Sequence, residues 1–334
     1  ALFTFLQQII AYGYLIVCIV EGTISIGSFT MYTSAVTTFA SSFRCVMESI
    51  IEIRAYDTYY DDLDEYLAVP KKLRQGKSPL KITGKDQIEF KNVSFRYPGT
   101  DQYALKNINI CIYSGEKLSI VGENGAGKTT FVKLLTRLYD PTEGEILFNG
   151  VNIKKIEYEQ YMSLFSTVYQ DYKLFSFSLK DNIALNLPVD EKKIQTVLER
   201  VGLSEKLRTL PKGMDTMLYK NFAEDGFEPS GGEGQKIALA RALYRDAPFV
   251  ILDEPTAAWD PRAEHKMYRN FNEIVAGKTA VYISHRMSST KFCDKVAVFE
   301  KGRIVEYGTH NDLMKKDGLY KELFDMQAEY YKEQ

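Results

Sequence analysis

Apolar residues run uninterrupted by charge from Ala1 to Val20, with only Thr4, Gln7 and Gln8 clearly polar among them. A helix of roughly 20 such residues crosses a bilayer core, so the run predicts a membrane span. Glu21-Gly22-Thr23 makes a short break, and a second uncharged run extends from Thr23 to Phe43. That run is rich in hydroxyls (Thr23, Ser25, Ser28, Thr30, Thr33, Ser34, Thr37, Thr38, Ser41, Ser42). A face of this kind is expected to pack on other helices or to line a wet cavity. The competing reading is a soluble helical hairpin with a buried core. From Arg44 to Leu67 the apolar positions thin to Val46, Ile50, Ile53 and Leu63 with acids between them, which predicts that the second helix continues as an amphipathic rod. The acidic cluster Asp61-Asp62-Leu63-Asp64-Glu65 reads as a solvated face. Pro70, Gly76 and Pro79 among lysines then mark a linker over 69–86.

Beyond the linker the period changes. Ile88 to Tyr97 alternates with period two and closes at Pro98-Gly99, a strand ending in a turn. A second strand is expected around Ile108 to Tyr113, and a third, Leu118-Ser119-Ile120-Val121, runs into glycines that precede the helical spacing of Phe131 to Leu135. Further strands are expected at Glu145 to Phe148, with Asn149-Gly150 as its turn, and at Phe165 to Tyr169. Leu179 to Leu210 is helix-like throughout, with Asp190-Glu191 opening one helix and Gly202 closing it, a helical insert in a strand–helix alternation. Gln235 to Leu243 predicts a helix, Phe249 to Glu254 and Ala280 to His285 two buried strands, and Val296 to Tyr307 a hairpin turning at Lys301-Gly302.

Composition narrows the classes. At 334 residues there is room for two or three domains, and a net charge of −2 lacks the basic surface of a nucleic-acid binder, so no nucleic-acid partner is expected. Cys18, Cys45, Cys111 and Cys293 lie far apart without metal-ligand spacing, which points to a reduced compartment. The basic residues Arg44, Arg54, Lys71, Lys72 and Arg74 all follow the second span, placing that end and everything after it in the cytoplasm. No basic start or small-residue cleavage site before Glu21 marks a secretory signal.

The chemistry centres on Gly122-Glu123-Asn124-Gly125-Ala126-Gly127-Lys128-Thr129-Thr130. At a strand-to-helix turn, glycines let successive amide hydrogens point inward, and the helix adds the positive end of its dipole, so the stretch is a polyphosphate nest. Lys128 can reach the β- and γ-phosphates, and the Thr129 hydroxyl can sit on a magnesium ion bridging them. Asp253 and Glu254 follow four apolar residues at a strand's carboxyl end, where Asp253 suits the metal and Glu254 the role of general base for water. Gln170 is placed where its side-chain carbonyl could coordinate magnesium; the alternative, which position alone favours, is a plain loop glutamine. Tyr97 either stacks on an adenine ring or is a core tyrosine. Ser230-Gly231-Gly232 at a helix start makes a second anion-binding end. His285 stands just past the strand on the same edge as the two acids.

Together these residues resemble the ATP-binding cassette (ABC) family, over about Ile88 to the C-terminus, and the preceding hairpin resembles, more weakly, the membrane part of an exporter half-transporter. The resemblance implies an α/β P-loop NTPase core with an antiparallel β subdomain and a helical subdomain, preceded by an all-α transmembrane hairpin: membrane helices and their extension over 1–68, the linker, and a nucleotide-binding domain over 87–334. It implies ATP and Mg2+ as cofactors, with Tyr97 as the adenine-stacking aromatic, Gly122 to Thr130 as Walker A, Gln170 as the Q-loop glutamine, Asp253 and Glu254 as Walker B, Asp260 as the D-loop aspartate and His285 as the switch histidine. The signature, Leu-Ser-Gly-Gly-Gln in the family, is here Pro229-Ser230-Gly231-Gly232-Glu233, and an ionised acid at 233 cannot donate a hydrogen bond. Trp259 stands where the family has a small apolar residue.

The implied function is ATP hydrolysis driving export across the cell membrane. The chain would be one subunit of a dimer with a second half-transporter, identical or not, surrounded by membrane lipid and acting on an unidentified transported substrate. In such a dimer Ser230, Gly231, Gly232 and Glu233 would complete the partner's site. Two further classes compete: a soluble cassette ATPase whose N-terminal hairpin docks a protein, and a regulatory subunit that binds ATP with little hydrolysis. The family's exporters carry more membrane helices per half than the pair seen here, which look like the last two. With no initiator methionine at Ala1, further helices are expected upstream.

Overall fold

The computed structural model describes residues 2–69, 73, 76–256, 259, 275, 277–284 and 286–330. Two compact units divide near residue 71.

The first unit is a helical hairpin, α1 (Leu2–Val20) and α2 (Ile26–Ala68). Glycine at 22 takes a positive φ of 71° in the turn, and Ser25 caps α2 by accepting from the Ser28 N–H at 3.1 Å. The two helices are joined by a Tyr12–Thr37 hydroxyl pair at 3.0 Å. With 43 residues, α2 is a rod of roughly 65 Å, continuous through the change from hydroxyl-rich to acidic sequence. Several of its hydroxyls bond back to the helix itself: Thr30 donates to Gly27 O at 2.8 Å, Thr37 to Thr33 O at 2.9 Å and Ser41 to Thr38 O at 2.8 Å. Among the described residues, no helix is long and apolar enough to cross a membrane. This departs from the two spans expected over 1–20 and 23–43. The helices stand where the pattern puts them, with the polar Gln7 and Gln8 inside a continuous α1 and the Ser/Thr run diluting the apolar character of α2.

The second unit holds two sheets. An antiparallel sheet has the order β2-β1-β4-β5, from β1 (Gln87–Arg96), β2 (Tyr103–Tyr113), β4 (Glu143–Phe148) and β5 (Val151–Asn152). The other runs β10-β9-β3-β8-β7-β6. It is built from β3 (Lys117–Gly122), β6 (Phe165–Val168), β7 (Phe249–Asp253), β8 (Thr279–Ile283), β9 (Lys295–Glu300) and β10 (Arg303–Gly308). Strands β9, β3, β8, β7 and β6 pair in parallel, and β10 lies antiparallel at the edge. The loops after β3, β8, β7 and β6 therefore leave on one edge, and β7 and β8 are buried along their whole length, as strands covered on both faces must be.

Helix α3 (Lys128–Leu135) bridges the sheets: Phe131 stacks on Phe90 of β1 at 4.6 Å and meets Phe299 of β9 edge-on at 5.6 Å. The fully buried Arg137, just past α3, donates to Leu73 O at 2.9 Å and to Ile156 O at 3.1 Å, tying the linker at Leu73 to this domain. After α4 (Tyr158–Ser163), the insert forms α5 (Leu179–Ala184), α6 (Glu191–Arg200) and α7 (Ser204–Thr209), packed on α8 (Gly231–Arg245). It is not helical throughout as expected: Leu185 sits at φ 50° and Pro188 follows, so the chain turns before Asp190 caps α6. Helices α9 (His310–Met314) and α10 (Leu319–Tyr330) close the domain.

Candidate nucleotide site

The phosphate loop leaves β3 through Gly122, whose φ is 144°; a Cβ there would stand 2.2 Å from the Phe299 carbonyl oxygen. Gly127 has φ 106°, with a Cβ 2.7 Å from Leu105 Cδ2. Both positions accept only glycine, for conformation and for space. Between them Glu123, Asn124 and Gly125 form the exposed tip, and Ala126 is buried beneath it. Lys128, the first residue of α3, is buried and folds back to donate to Gly122 O at 2.8 Å and Glu123 O at 2.9 Å. Burial pulls its ammonium below the usual lysine value, and the nearby Glu254 and Asp253 carboxylates work against that. Thr130 is buried and pairs with the Tyr97 hydroxyl at 3.1 Å. The Tyr97 ring packs edge-on against Phe95 and Tyr139, with the Lys133 ammonium 5.6 Å from its centroid. Tyr97 is thus a half-buried, packed aromatic bonded to Thr130 at the start of α3.

Strand order brings the acids to the loop. Asp253 ends β7, is 1% exposed, and receives the Thr129 hydroxyl on Oδ2 at 3.4 Å. Its Oδ1 is buried with no hydrogen-bond partner among the described residues. A buried carboxylate oxygen left this way costs free energy unless something cationic meets it. Burial first, then Glu254, pushes the Asp253 carboxyl up to about 6. Glu254 follows at φ 51°, a left-handed conformation rare outside glycine, held by its N–H on Ile283 O at 3.0 Å. The turn points its carboxylate toward Gln170, whose Nε2 donates to Glu254 Oε2 at 3.0 Å. Gln170 emerges from β6, beside β7, so the contact follows from the β6–β7 pairing.

Hydroxyl, carboxylate and amide oxygens at Thr129, Asp253 and Gln170 make a hard donor set suited to Mg2+, which takes one or two carboxylates alongside phosphates and water. The unpartnered Asp253 oxygen fits that requirement. No group of three or more His, Cys, Asp or Glu side chains that could hold a metal occurs among the described residues. His285 and Asp260 lie outside the described residues.

The raised Asp253 carboxyl has a consequence for stability. In the folded, metal-free protein it gains a proton near pH 6, whereas the unfolded chain does so near 3.8. Its stabilising share is complete below the unfolded value and is lost as pH rises through about 6. Without magnesium and nucleotide, Asp253→Asn is expected to melt above the parent at pH 7.5, and the gap should narrow as pH falls below about 6 and close only toward 3.8. Thermal melts across that range check it, and equal melting temperatures at pH 7.5 would contradict it.

The stretch expected to form a second anion-binding end is the start of α8. Ser230 caps it, and Gly231 and Gly232 form its first turn. Residues the motifs did not single out connect this end to the acids. The Tyr172 hydroxyl donates to Gly231 O at 3.1 Å, and Gln235 Nε2 donates to the Glu254 carbonyl at 3.4 Å. Tyr172 stands two positions past Gln170, and a Cβ at Gly234 would stand 2.6 Å from the Tyr172 hydroxyl, so the glycine lets that hydroxyl lie close to α8.

Residues 105–257 match the family model described as ABC transporter. The chain is 37% identical to the subtilin transport ATP-binding protein SpaT of Bacillus subtilis over 90% of its own length and 50% of that protein's. It is 35% identical to an ATP-dependent lipid A-core flippase of Alkalilimnicola ehrlichii, over 91% and 51% of the two lengths. A solved structure of a bacterial Atm1-family ABC exporter with ATP bound superposes with a TM-score of 0.79 at 27% identity, over 91% of this chain and 53% of that one. The chain spans about half the length of the curated relatives it matches. Its second unit has the ABC ATPase fold with an antiparallel β subdomain, long helices precede it, and the chain belongs to the ABC transporter family.

Proposed function

We propose that the chain is the ATP-hydrolysing part of an ABC exporter half-transporter, working as a pair in the cell membrane with its nucleotide-binding domains in the cytoplasm. The observation that carries this reading is the meeting of Thr129 with Asp253 and of Gln170 with Glu254 on one sheet edge. Lys128 and the loop amides hold the β- and γ-phosphates, and Tyr97 receives the adenine. Thr129, Asp253 and Gln170 would hold Mg2+, which would supply positive charge against the phosphates. Glu254 accepts a proton from the attacking water, and Gln170, bonded to the same carboxylate, orients it. Ser230, Gly231 and Gly232 present a capped helix end to the nucleotide of the partner, so each chain supplies half of two sites.

The membrane placement is supported by relatives whose names speak of transport, flippase and exporter, and by large apolar side chains turned outward on α1, among them Phe5, Ile9, Ile10, Ile16 and Val17. The test is the full chain expressed in cells. It should sediment with membranes, resist alkaline extraction, and hydrolyse ATP in a magnesium-dependent manner after reconstitution in lipid. Release into the aqueous fraction with hydrolysis intact would favour a soluble cassette ATPase.

A further inference from the structure

The start of α8 carries a full negative charge where a phosphate is to arrive. Glu233 stands in the first turn, and its Oε2 accepts from the Ser230 N–H and the Ser230 hydroxyl, both at 2.8 Å. The Ser230 oxygen accepts in return from the Glu233 N–H, closing a capping box. Burial pushes the Glu233 carboxyl up, but the Ser230 bonds and the Lys206 ammonium outweigh it and hold the acid below the usual carboxylate range. It is therefore ionised at neutral pH. A helix N-terminus offers about half a positive charge, so an ionised acid in its first turn overturns its attraction for phosphate.

One side chain restores the balance. Lys206, in α7, places its Nζ 3.2 Å from Glu233 Oε1, and the same ammonium lies 4.5 Å from the centre of the Phe227 ring. The pair is partly exposed, with side chains 38% and 24% accessible, so as a stabilising ion pair it contributes little. Its effect on an incoming polyphosphate is larger, because several like charges converge on a partly desolvated end.

We propose that Lys206 is a positioning residue of the phosphate-binding end of α8: by neutralising Glu233 it lets Ser230, Gly231 and Gly232 receive the terminal phosphate of a nucleotide held by a partner chain. The proposal rests on the assignment of that end to a partner's nucleotide. Any cation of similar reach serves at 206, and an uncharged residue serves only where 233 is also uncharged.

The experiment is steady-state ATP hydrolysis by the full chain in lipid. Lys206→Met, which keeps the packing on Phe227, raises KM for ATP about fivefold to tenfold with kcat within about twofold. Lys206→Arg leaves KM near the parent value, and adding Glu233→Gln to Lys206→Met returns KM to that of Glu233→Gln alone. An unchanged KM in Lys206→Met, or a double variant as impaired as the single one, overturns the proposal. Ser230→Arg, which blocks the phosphate face, separates the two failures. If it leaves hydrolysis unchanged, the underlying reading falls and takes this inference with it. If it abolishes hydrolysis while Lys206→Met changes nothing, only the role of Lys206 falls.

Discussion

Glu254→Gln is expected to lower ATP turnover by on the order of a hundredfold to a thousandfold while leaving ATP affinity near its original value. General-base assistance is worth about that much, and an amide cannot take the proton. The affinity should survive because Glu254 stands outside the loop that grips the phosphates. The fold should survive because glutamine keeps the side-chain length, and the turn at 254 is held by its backbone bond to Ile283. An amide can still meet Gln170 by presenting its oxygen to Nε2. Single-turnover hydrolysis and equilibrium binding of ATP, measured on the same preparation, separate the two effects. Undiminished turnover would remove Glu254 from the mechanism.

Lys128→Met should do the opposite, costing about a hundredfold in ATP affinity. Two charge-assisted bonds to phosphate oxygens account for a loss of this size. Lys128 is buried and bonded to the carbonyls of Gly122 and Glu123, so its ammonium is already held over the loop and needs little ordering to meet a phosphate. Methionine fills nearly the same volume without the charge, which limits damage to the surrounding core. Equilibrium ATP binding checks the size of the loss. Circular dichroism and thermal melting of the same sample show whether the domain remains folded.

Much of this site is legible in the sequence because phosphate chemistry constrains the backbone. Gly122 and Gly127 sit where a Cβ would strike Phe299 O and Leu105, so the glycine spacing is a direct record of the loop's path. Asp253 and Glu254 are readable because four apolar residues running straight into two acids mark a buried strand that ends at a polar edge. The Gln170–Glu254 bond is not readable, since it depends on β6 lying beside β7, and strand alternation alone leaves the order of a parallel sheet open. The turn at Leu185 is hidden for a related reason: apolar spacing continues through it, and the local signs of a break, Pro188 and the Asp190 cap, come only after it. Hydropathy locates both N-terminal helices, yet it credits α2 with a span that its hydroxyl content does not support.

Glu233 teaches the opposite lesson. As a departure from the family's glutamine it reads as a lost donor. In the structure it is an acceptor, capping the helix that Ser230 begins. The Ser-x-x-Glu spacing of 230 and 233 is itself a capping-box pattern, so the signal is present in the sequence. What no local pattern could supply is Lys206, which reaches Glu233 only because the insert folds α7 against the start of α8.

The loop at Gly122 to Thr130 is, on this account, half of a hydrolytic site, completed by Ser230 to Gly232 of another copy. Complementation between two defective full chains tests that claim most directly. Lys128→Met removes the phosphate grip but keeps the α8 end, whereas Ser230→Arg blocks that end but keeps the loop. At an ATP concentration near the parent's half-saturation each alone should be nearly inactive, and co-expression should restore hydrolysis, because a mixed pair holds one complete site. Full activity in the Ser230→Arg chain by itself, or no recovery in the mixture, would contradict the account.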